Sequence, residues 1–260
     1  VNVEQDHRYR DFWQTYYKLT ARKGVTEQLA KIDMRRRLSL IGTMMLHKGE
    51  VDGLICGTWS TPLTHLKYVN EVIGNRKGVS TYAAMNGLLL PDRQVFLVDT
   101  HINYDPTAEQ LAEITVMAAE EMRRFGIQPK AALLSHSNFG SSDQPSAIKM
   151  RETLALVKKK APWLEIDGEM HGDSALDGAA RAAHMPDTTL IGDANLLVLP
   201  NLDSANIAYN LLKTAAGGNI AIGPVLLGAA KPVHILTAST TVRRIVNMTA
   251  LTVADASAVR

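Results

Sequence analysis

The sequence has 260 residues, enough for one large domain or two modest ones, each with its own core. Hydrophobic residues make up 46% and charged residues 21%, as in ordinary globular proteins, and a net charge of +2 with only 5% aromatic residues argues against nucleic-acid binding. No apolar run approaches the ~18 residues of a membrane span. The polar first residues argue against a secretory leader. The single cysteine, Cys56, fits a reducing cytoplasm.

Short apolar segments alternate with helical patterns along the first half of the chain. Val51–Cys56 predicts a buried strand that ends at Gly57, and Gln94–Val98 predicts a second strand. The next segment predicts a helix from Asp105-Pro106 to Phe125, with Asp105 as its cap and Pro106 in its first turn. A strand at Ala131–Leu134 then completes a β-α-β unit.

The same alternation returns in the second half. Asn195–Leu199 predicts a strand, and Asp203 or Ser204 is expected to cap a helix that carries Ile207, Leu211 and Leu212 and ends at Gly217-Gly218. Two further strands are predicted at Ile220–Ile222 and Val233–Leu236. The last helix follows Ser239–Thr241 and carries Val242, Ile245, Val246, Thr249 and Val253. This alternation predicts an α/β fold with a mostly parallel sheet and right-handed crossovers.

Small polar residues follow the predicted strands, at the edge where open α/β sheets bind ligands. These loops begin at Asp99, Ser135, Pro200 and Thr237. Hydroxyl and amide donors on such loops suit a phosphate or an amide-rich ligand, although each loop taken alone also fits ordinary turn and cap residues. From the residues alone, the sequence predicts a soluble α/β protein with a polar cleft.

Common catalytic motifs are absent, including the Walker loop, Gly-x-Gly-x-x-Gly, Gly-x-Ser-x-Gly and His-Glu-x-x-His. Glu169, His171 and Asp173 have a spacing that could chelate a metal, but no second cluster completes a site, so we expect no bound metal. Ser135 and His136 are not expected to form a catalytic pair, since neighbouring side chains on a strand point apart.

Several segments, in order and over nearly the whole chain, resemble the phosphotransacetylase (phosphate acetyl/butyryltransferase) family. They are Gly49–Gly57, Pro106–Ile114, Leu133–Ser137, Ile166–Glu169, Ala194–Val198, Asn206–Tyr209, Gly223–Leu226 and Lys231–Val233. Three stretches are similar to the form of this domain found at the C-terminus of bacterial NADP-dependent malic enzymes. These are Ser135–Asp143, Asp167–Asp173 and Lys231–Thr237.

The resemblance implies two α/β/α subdomains with mostly parallel sheets around a cleft, as in phosphotransacetylases and isocitrate dehydrogenase-like proteins. Subdomain one would comprise residues 1–78 and 224–260, truncated at its N-terminal end, and subdomain two residues 79–223. By the same resemblance, the missing part and the malic enzyme domain lie outside this sequence.

At the positions of the family's functional groups, this chain departs from the active transferases. Thr237 and Ala238 stand where the family has a Ser-Arg pair, and Arg244 replaces a carboxylate. Two further family arginines correspond to Lys67 and Thr20. Each lost electrostatic donor typically costs ~10² to 10³ in rate, so we expect no catalysis at these degenerate positions.

The resemblance therefore implies a non-catalytic regulatory domain of an NADP-dependent malic enzyme, with acetyl-CoA or CoA as an allosteric effector that inhibits. The expected contacts are Lys67, Ser135, Ser137, Asn138, Ser141, Thr237, Ser239, Thr240 and Arg244. NADP and a divalent metal would belong only to the malic enzyme domain, and the chain is expected to form a cytoplasmic homodimer without nucleic-acid or membrane partners. Two alternatives stay open: an active phosphate acetyltransferase and a purely structural dimerisation domain.

Overall fold

The computed structural model describes residues 5–217 and 221–259, and the chain divides into two compact units. The first unit contains the residues up to Gly78 and those from Ala229 onward, and the second contains Val79–Gly228. The sequence-based division began the last segment of the first subdomain at residue 224. A strand at Ala221–Leu227 runs through this position and pairs with a strand of the second unit, which keeps residues 224–228 in that unit.

The first unit begins with packed helices. Its elements before residue 79 are α1 (Tyr9–Thr20), a 3-10 turn (Ala21–Lys23), α2 (Glu27–Arg36), α3 (Leu38–Lys48), β1 (Leu54–Gly57) and α4 (Pro62–Val72). The helices surround a core that includes the buried side chains of Tyr16, Leu40 and Met44. Strand β1 covers only the later part of the predicted segment, because the chain bends at Val51 and Asp52.

The second unit is built on a mixed sheet. Its elements are β2 (Ala83–Leu89), β3 (Gln94–Val98), α5 (Ala108–Arg124), β4 (Lys130–Leu134), α6 (Pro145–Lys160), β5 (Glu165–Met170), α7 (Gly172–Leu176), α8 (Gly178–His184), β6 (Leu196–Val198), α9 (Leu202–Ala215) and β7 (Ala221–Leu227). The strand order is β5-β4-β6-β3-β2-β7, in which β3 to β6 are parallel and β2 is antiparallel to both of its neighbours. The predicted α/β fold with mostly parallel strands is confirmed.

The predicted helices of this unit form, but their caps differ from those expected. Helix α5 starts after Thr107, whose Oγ1 accepts a hydrogen bond from Gln110 N at 3.3 Å while Gln110 Oε1 accepts one from Thr107 N at 2.9 Å. This capping box satisfies two backbone donors and displaces the predicted cap, Asp105. Helix α9 is capped by Asn201, which accepts from Ser204 N at 2.9 Å, so the predicted caps Asp203 and Ser204 lie inside the helix. Gly218 and Ile220 of the predicted helix end and strand lie outside the described residues.

The chain then returns to the first unit with β8 (Val233–Leu236) and α10 (Val242–Val259). Strand β8 has the predicted bounds and pairs in parallel with β1. Helix α10 exposes the apolar residues that mark it in the sequence, since Val242 is 77% and Val246 61% exposed. Between residues 242 and 258 its buried residues are Arg244, Met248, Thr252 and Asp255. Over the described ranges, no helix is long and apolar enough to cross a membrane.

Candidate functional site

The loops after β1 and β8 leave the same edge of the first unit's sheet, because these strands are parallel neighbours. Gly57 ends β1 with a φ of 108°, and a Cβ at this residue would lie 2.2 Å from the carbonyl oxygen of Leu236. Thr58 donates its backbone N–H to that same oxygen over 3.2 Å. Glycine permits this approach, which holds the loop that begins at Thr58 beside the loop that begins at Thr237.

The loop from Thr237 to Thr241 is a compact turn rich in hydroxyl groups. Thr237 Oγ1 lies 3.3 Å from Ser239 Oγ and 3.4 Å from Thr240 Oγ1, and Thr240 N donates to the Thr237 carbonyl at 3.1 Å. Thr241 accepts from the backbone N–H of Arg244 at 3.3 Å, next to the start of α10. Ala238 and Ser239 are exposed, so the turn presents donors to solvent at the start of a long helix.

Arg244 lies on the first turn of α10 and is only 8% exposed. Within the described residues, no hydrogen bond or ion pair engages its guanidinium group. Arginine stays charged at physiological pH, and this guanidinium has no counter-ion among the described residues but keeps some contact with solvent. Because the Cα–Cβ bond of a helical residue tilts towards the helix N-terminus, this side chain leans towards the Thr237–Thr241 turn. The arrangement suits an anionic group bound at that end of the helix.

The two other positions matched to family arginines differ from each other. Lys67, on α4, has a half-exposed side chain whose Nζ lies 4.0 Å from Glu71 Oε1 and 5.5 Å from the ring centroid of Tyr68. The ion pair is long and only the lysine is exposed, so this cation remains accessible from solvent. Thr20, at the end of α1, is fully buried and donates its hydroxyl to the Tyr16 carbonyl at 2.7 Å. It therefore offers no donor to a ligand.

The segment around Trp59 is a feature that the sequence analysis missed. His65 is buried, with Nε2 2.6 Å from the Trp59 carbonyl oxygen and Nδ1 2.7 Å from Ser39 Oγ. Its ring meets the Trp59 ring edge to face, with centroids 4.9 Å apart. Burial raises the pKa of the nearby Cys56 thiol to about 11, although a hydrogen bond with Ser39 opposes the shift, so the thiol is not a nucleophilic thiolate at neutral pH. The sequence signal was an aromatic residue two positions after the end of a predicted strand.

In the second unit, the predicted loop from Ser135 to Asp143 is organised around Glu169. This carboxylate is 1% exposed, and its Oε1 accepts hydrogen bonds from Ser137 Oγ at 2.6 Å, Gly140 N at 2.9 Å and Arg151 Nη1 at 2.9 Å. Burial alone would raise the pKa of Glu169, but these hydrogen bonds and the charge of Arg151 hold the pKa below its ordinary value. The carboxylate therefore stays ionised and fixes the loop.

This network decides which of the predicted loop residues remain available. The Ser137 hydroxyl is buried and committed to Glu169, so it supports the loop rather than facing a ligand. Ser135 Oγ accepts from Ser137 N at 3.1 Å, and Asn138 Oδ1 accepts from His171 N at 3.2 Å. Ser141 is exposed, although its Oγ accepts from Asn138 N at 2.9 Å. Hydrogen bonds within the chain thus hold this loop, and Ser141 is its most accessible hydroxyl among these residues.

The three residues with a metal-like spacing each have a structural role. Glu169 holds the loop described above, and the Asp173 carboxylate accepts from Ser174 N at 2.8 Å. His171 Nε2 lies 2.9 Å from the His136 carbonyl oxygen. In the part of the chain that the structure describes, no group of three or more His, Cys, Asp or Glu side chains could hold a metal ion.

The predicted site residues thus fall into two sets. Thr237, Ala238, Ser239, Thr240 and Arg244 form one turn and helix start in the first unit, where Lys67 and Thr20 also lie on α4 and α1. Ser135, Ser137, Asn138 and Ser141 form one loop of the second unit.

Comparisons with known proteins identify the family. Residues 1–253 match the family model described as phosphate acetyl/butaryl transferase. The chain is 52% identical, over 98% of its length, to 34% of the NADP-dependent malic enzyme of Escherichia coli strain K12, so it spans about a third of that relative. It is 34% identical to the phosphate acetyltransferase of Corynebacterium glutamicum, covering 98% of this chain and 77% of that enzyme.

Solved structures agree with the sequence comparisons. A phosphotransacetylase from Streptococcus pyogenes superposes with a TM-score of 0.89 at 30% identity, covering 98% of this chain and 77% of that chain. The family match covers both units, including the Thr237 turn and the loop held by Glu169. The chain therefore belongs to the phosphate acetyl/butaryl transferase family.

Proposed function

We propose that this chain is a regulatory module that binds acetyl-CoA without acting on it, and that it forms part of a malic enzyme. Its 52% identity to about a third of an NADP-dependent malic enzyme supports the proposal that the chain forms part of such an enzyme. In such a protein, NADP and a divalent metal bind the malic enzyme domain rather than these residues. Acetyl-CoA is expected to inhibit, because it accumulates on the product side of malate oxidation.

The observation that carries the proposal is Arg244, a largely buried residue whose guanidinium keeps some contact with solvent. It is 8% exposed and has no acceptor within the described residues, beside a turn that presents the hydroxyls of Thr237, Ser239 and Thr240. A phosphate of the coenzyme supplies the missing negative charge, and the start of α10 adds a favourable dipole. Lys67 gives a second, exposed cation in the same unit.

The same residues argue against turnover. A transferase of this family must remove the thiol proton of CoA and stabilise the charge that develops on the acyl phosphate. Arg244 stands at the family's carboxylate position and cannot accept a proton, while Ala238 and buried Thr20 offer no guanidinium fork. Binding survives these replacements because it depends on donors that remain in place.

The second unit offers a separate set of small polar groups, on the loop held by Glu169. Ser135, Asn138 and Ser141 keep small polar groups on a loop whose shape is fixed in advance, which lowers the entropy cost of binding a ligand. Ser137 fixes this loop through its hydrogen bond to Glu169.

Calorimetric titration of the chain with acetyl-CoA tests the proposal. We expect saturable binding, weakened about tenfold or more by Arg244→Gln, because a charge-assisted hydrogen bond contributes ~1.5–3 kcal/mol. Arg243→Gln is the matched control, since Arg243 is the adjacent, exposed arginine of the same helix turn and should bind like the parent. Absence of binding by the parent chain, or equal binding by Arg244→Gln, would contradict the proposal.

An active phosphate acetyltransferase is the second candidate, favoured by the hydroxyl of Thr237 and the cation of Lys67, which are chemically close to the family's residues. The proposal predicts that the chain forms no acetyl-CoA from acetyl phosphate and CoA above the buffer background. Turnover of ~1–10³ s⁻¹, the range of ordinary enzymes, would support the transferase instead.

The chain is also proposed to form a homodimer, since twofold symmetry is the commonest solution among soluble oligomers. Light scattering at micromolar concentration should give twice the mass of 28.4 kDa. A dimer that binds no acetyl-CoA would leave a purely structural dimerisation domain as the better description.

A further inference from the structure

We infer that Trp59 is the stacking platform for the adenine ring of the coenzyme, so that the first unit recognises the nucleotide half of acetyl-CoA. The inference rests on the proposed binding of acetyl-CoA and adds the position of its adenine. Trp59, Thr237 and Arg244 all belong to this one unit.

The backbone on both sides of Trp59 is held in an uncommon conformation. Thr58 and Ser60 have φ angles of 69° and 59°, in the left-handed region that residues with side chains rarely adopt. Such conformations persist where the surrounding structure imposes them, and they cluster at ligand sites. Here they bracket a tryptophan that remains 41% exposed.

Contacts with buried side chains hold this loop in place. His65 contacts the Trp59 carbonyl through Nε2 and Ser39 through Nδ1, and it packs edge to face against the indole ring. With Nε2–H donating to the carbonyl, Nδ1 accepts from the Ser39 hydroxyl, so both ring nitrogens are satisfied. A ring fixed in this way loses little freedom when a base stacks on it.

The surroundings of Trp59 are those of a phosphate-bearing ligand. Thr58 N donates to Leu236 O at 3.2 Å, which places this loop beside the Thr237 turn and the start of α10. The hydroxyls of Ser60 and Thr61 lie 3.1 Å from Thr64 Oγ1 at the start of α4. The buried, unpartnered Arg244 points independently to an anion. An aromatic side chain on a loop beside a turn with anion-binding groups is a combination that recognises nucleotides.

Comparison with the other tryptophans singles out Trp59. The ring of Trp13 has the Lys31 ammonium 4.4 Å from its centroid, and that of Trp163 has the Arg123 guanidinium at 4.6 Å. In the described ranges no cation lies over the ring of Trp59. Trp163 is 39% exposed, nearly the same as Trp59, so it provides a matched control.

The test compares the parent chain with Trp59→Ala, Trp59→Phe and Trp163→Ala in titrations with acetyl-CoA and with S-acetylpantetheine, which lacks the nucleotide. We expect Trp59→Ala to weaken acetyl-CoA binding about tenfold or more, within the range measured for base stacking on aromatic residues. Trp59→Phe should weaken it less, and Trp163→Ala should bind like the parent. The affinity for S-acetylpantetheine should be the same in all four proteins.

The possible failures separate this inference from the proposed function. If the parent binds acetyl-CoA and Trp59→Ala binds it equally well, the platform assignment is wrong and the proposed function stands. Equal losses for acetyl-CoA and S-acetylpantetheine would also overturn the adenine assignment, and Trp59→Phe, which keeps a flat ring in the loop, guards against a merely misfolded variant. If the parent binds no acetyl-CoA, both proposals fail.

Discussion

The carboxylate of Glu169 determines the shape of a loop that lies far from it in sequence. Its Oε1 receives the Ser137 hydroxyl, the Gly140 N–H and the Arg151 guanidinium, and the side chain is almost fully buried. A buried carboxylate with three donors is stabilised in its ionised form. The loop geometry therefore depends on the charge of one residue.

Glu169→Gln should reduce the free energy of unfolding by ~1–3 kcal/mol at pH 7, because Arg151 loses its buried charged partner. The folded-state pKa of Glu169 lies below the ordinary value of 4.5, so the stabilisation is complete above that pH and is lost as the pH falls through the folded pKa. Urea unfolding of both proteins at several pH values should show a difference that is constant near neutrality and shrinks below about pH 4.

Asp143→Asn is the control for this charge effect. Asp143 also pairs with Arg151, at 3.0 Å, but its side chain is 93% exposed. An exposed ion pair contributes ~0–1 kcal/mol, so this variant should unfold almost like the parent. A larger loss for Asp143→Asn than for Glu169→Gln would show that Glu169 does not anchor the loop.

For these residues the sequence indicated the type of polar group but not the partner that it binds in the folded chain. Ser137 was expected to contact a ligand, and its donor is instead consumed by a carboxylate 32 positions away. The replacement of a carboxylate by Arg244 followed from the family resemblance, whereas its burial and lack of a partner depend on how α10 packs. Such pairings are long-range and leave no periodic signal in the sequence.

Among the elements, strands and helices with strong local patterns were predicted well. Gln94–Val98 and Val233–Leu236 have the predicted bounds, because each is a short apolar run bounded by turn residues. The cap of α5 was predicted wrongly, although Thr107 and Gln110 form a recognisable capping-box pair. The buried face of helix α10 was harder to predict from the sequence. Asp255 faces inward, with its Oδ2 3.2 Å from Nε2 of buried His234, while several apolar residues face outward.

Helices α7 and α8 are held together by one buried cation. Arg181 is 1% exposed and donates to the carbonyl oxygens of Ser174 at 2.7 Å and Leu190 at 2.8 Å, and also to that of Gly192. No local pattern predicts this clamp, because its acceptors are backbone atoms of a helix and of a loop.

Arg181→Met is expected to lower the free energy of unfolding by about 3 kcal/mol or more, since it keeps much of the apolar stem but leaves these carbonyls without their donor. Denaturant unfolding monitored by far-ultraviolet circular dichroism measures the loss. Arg123→Met removes an exposed arginine from α5 of the same unit and should cost less than ~1 kcal/mol. Equal losses in the two variants would refute the clamp.

For the whole molecule, the chain contains two units of different construction. The first is discontinuous and gathers Lys67, Trp59, the Thr237 turn and Arg244, and the second presents the loop fixed by Glu169. The family resemblance in the sequence predicted the fold class and the order of the segments. It did not place the second boundary, because β7 continues beyond residue 223 and pairs with β2.

The proposed regulation makes a prediction for the full-length malic enzyme in which this chain would act. Acetyl-CoA should lower the rate of malate oxidation, and the midpoint of that effect should match the Kd of acetyl-CoA measured at the same malate and cofactor concentrations. Coupling between two ligands is reciprocal in free energy. Saturating malate and cofactor should therefore raise the Kd of acetyl-CoA by the same factor by which acetyl-CoA raises the Kd for malate and cofactor. Equilibrium titrations with each ligand, alone and with the others present, measure both factors. Binding of acetyl-CoA that leaves both the oxidation rate and the affinity for malate unchanged would show that the site is occupied without regulating the enzyme.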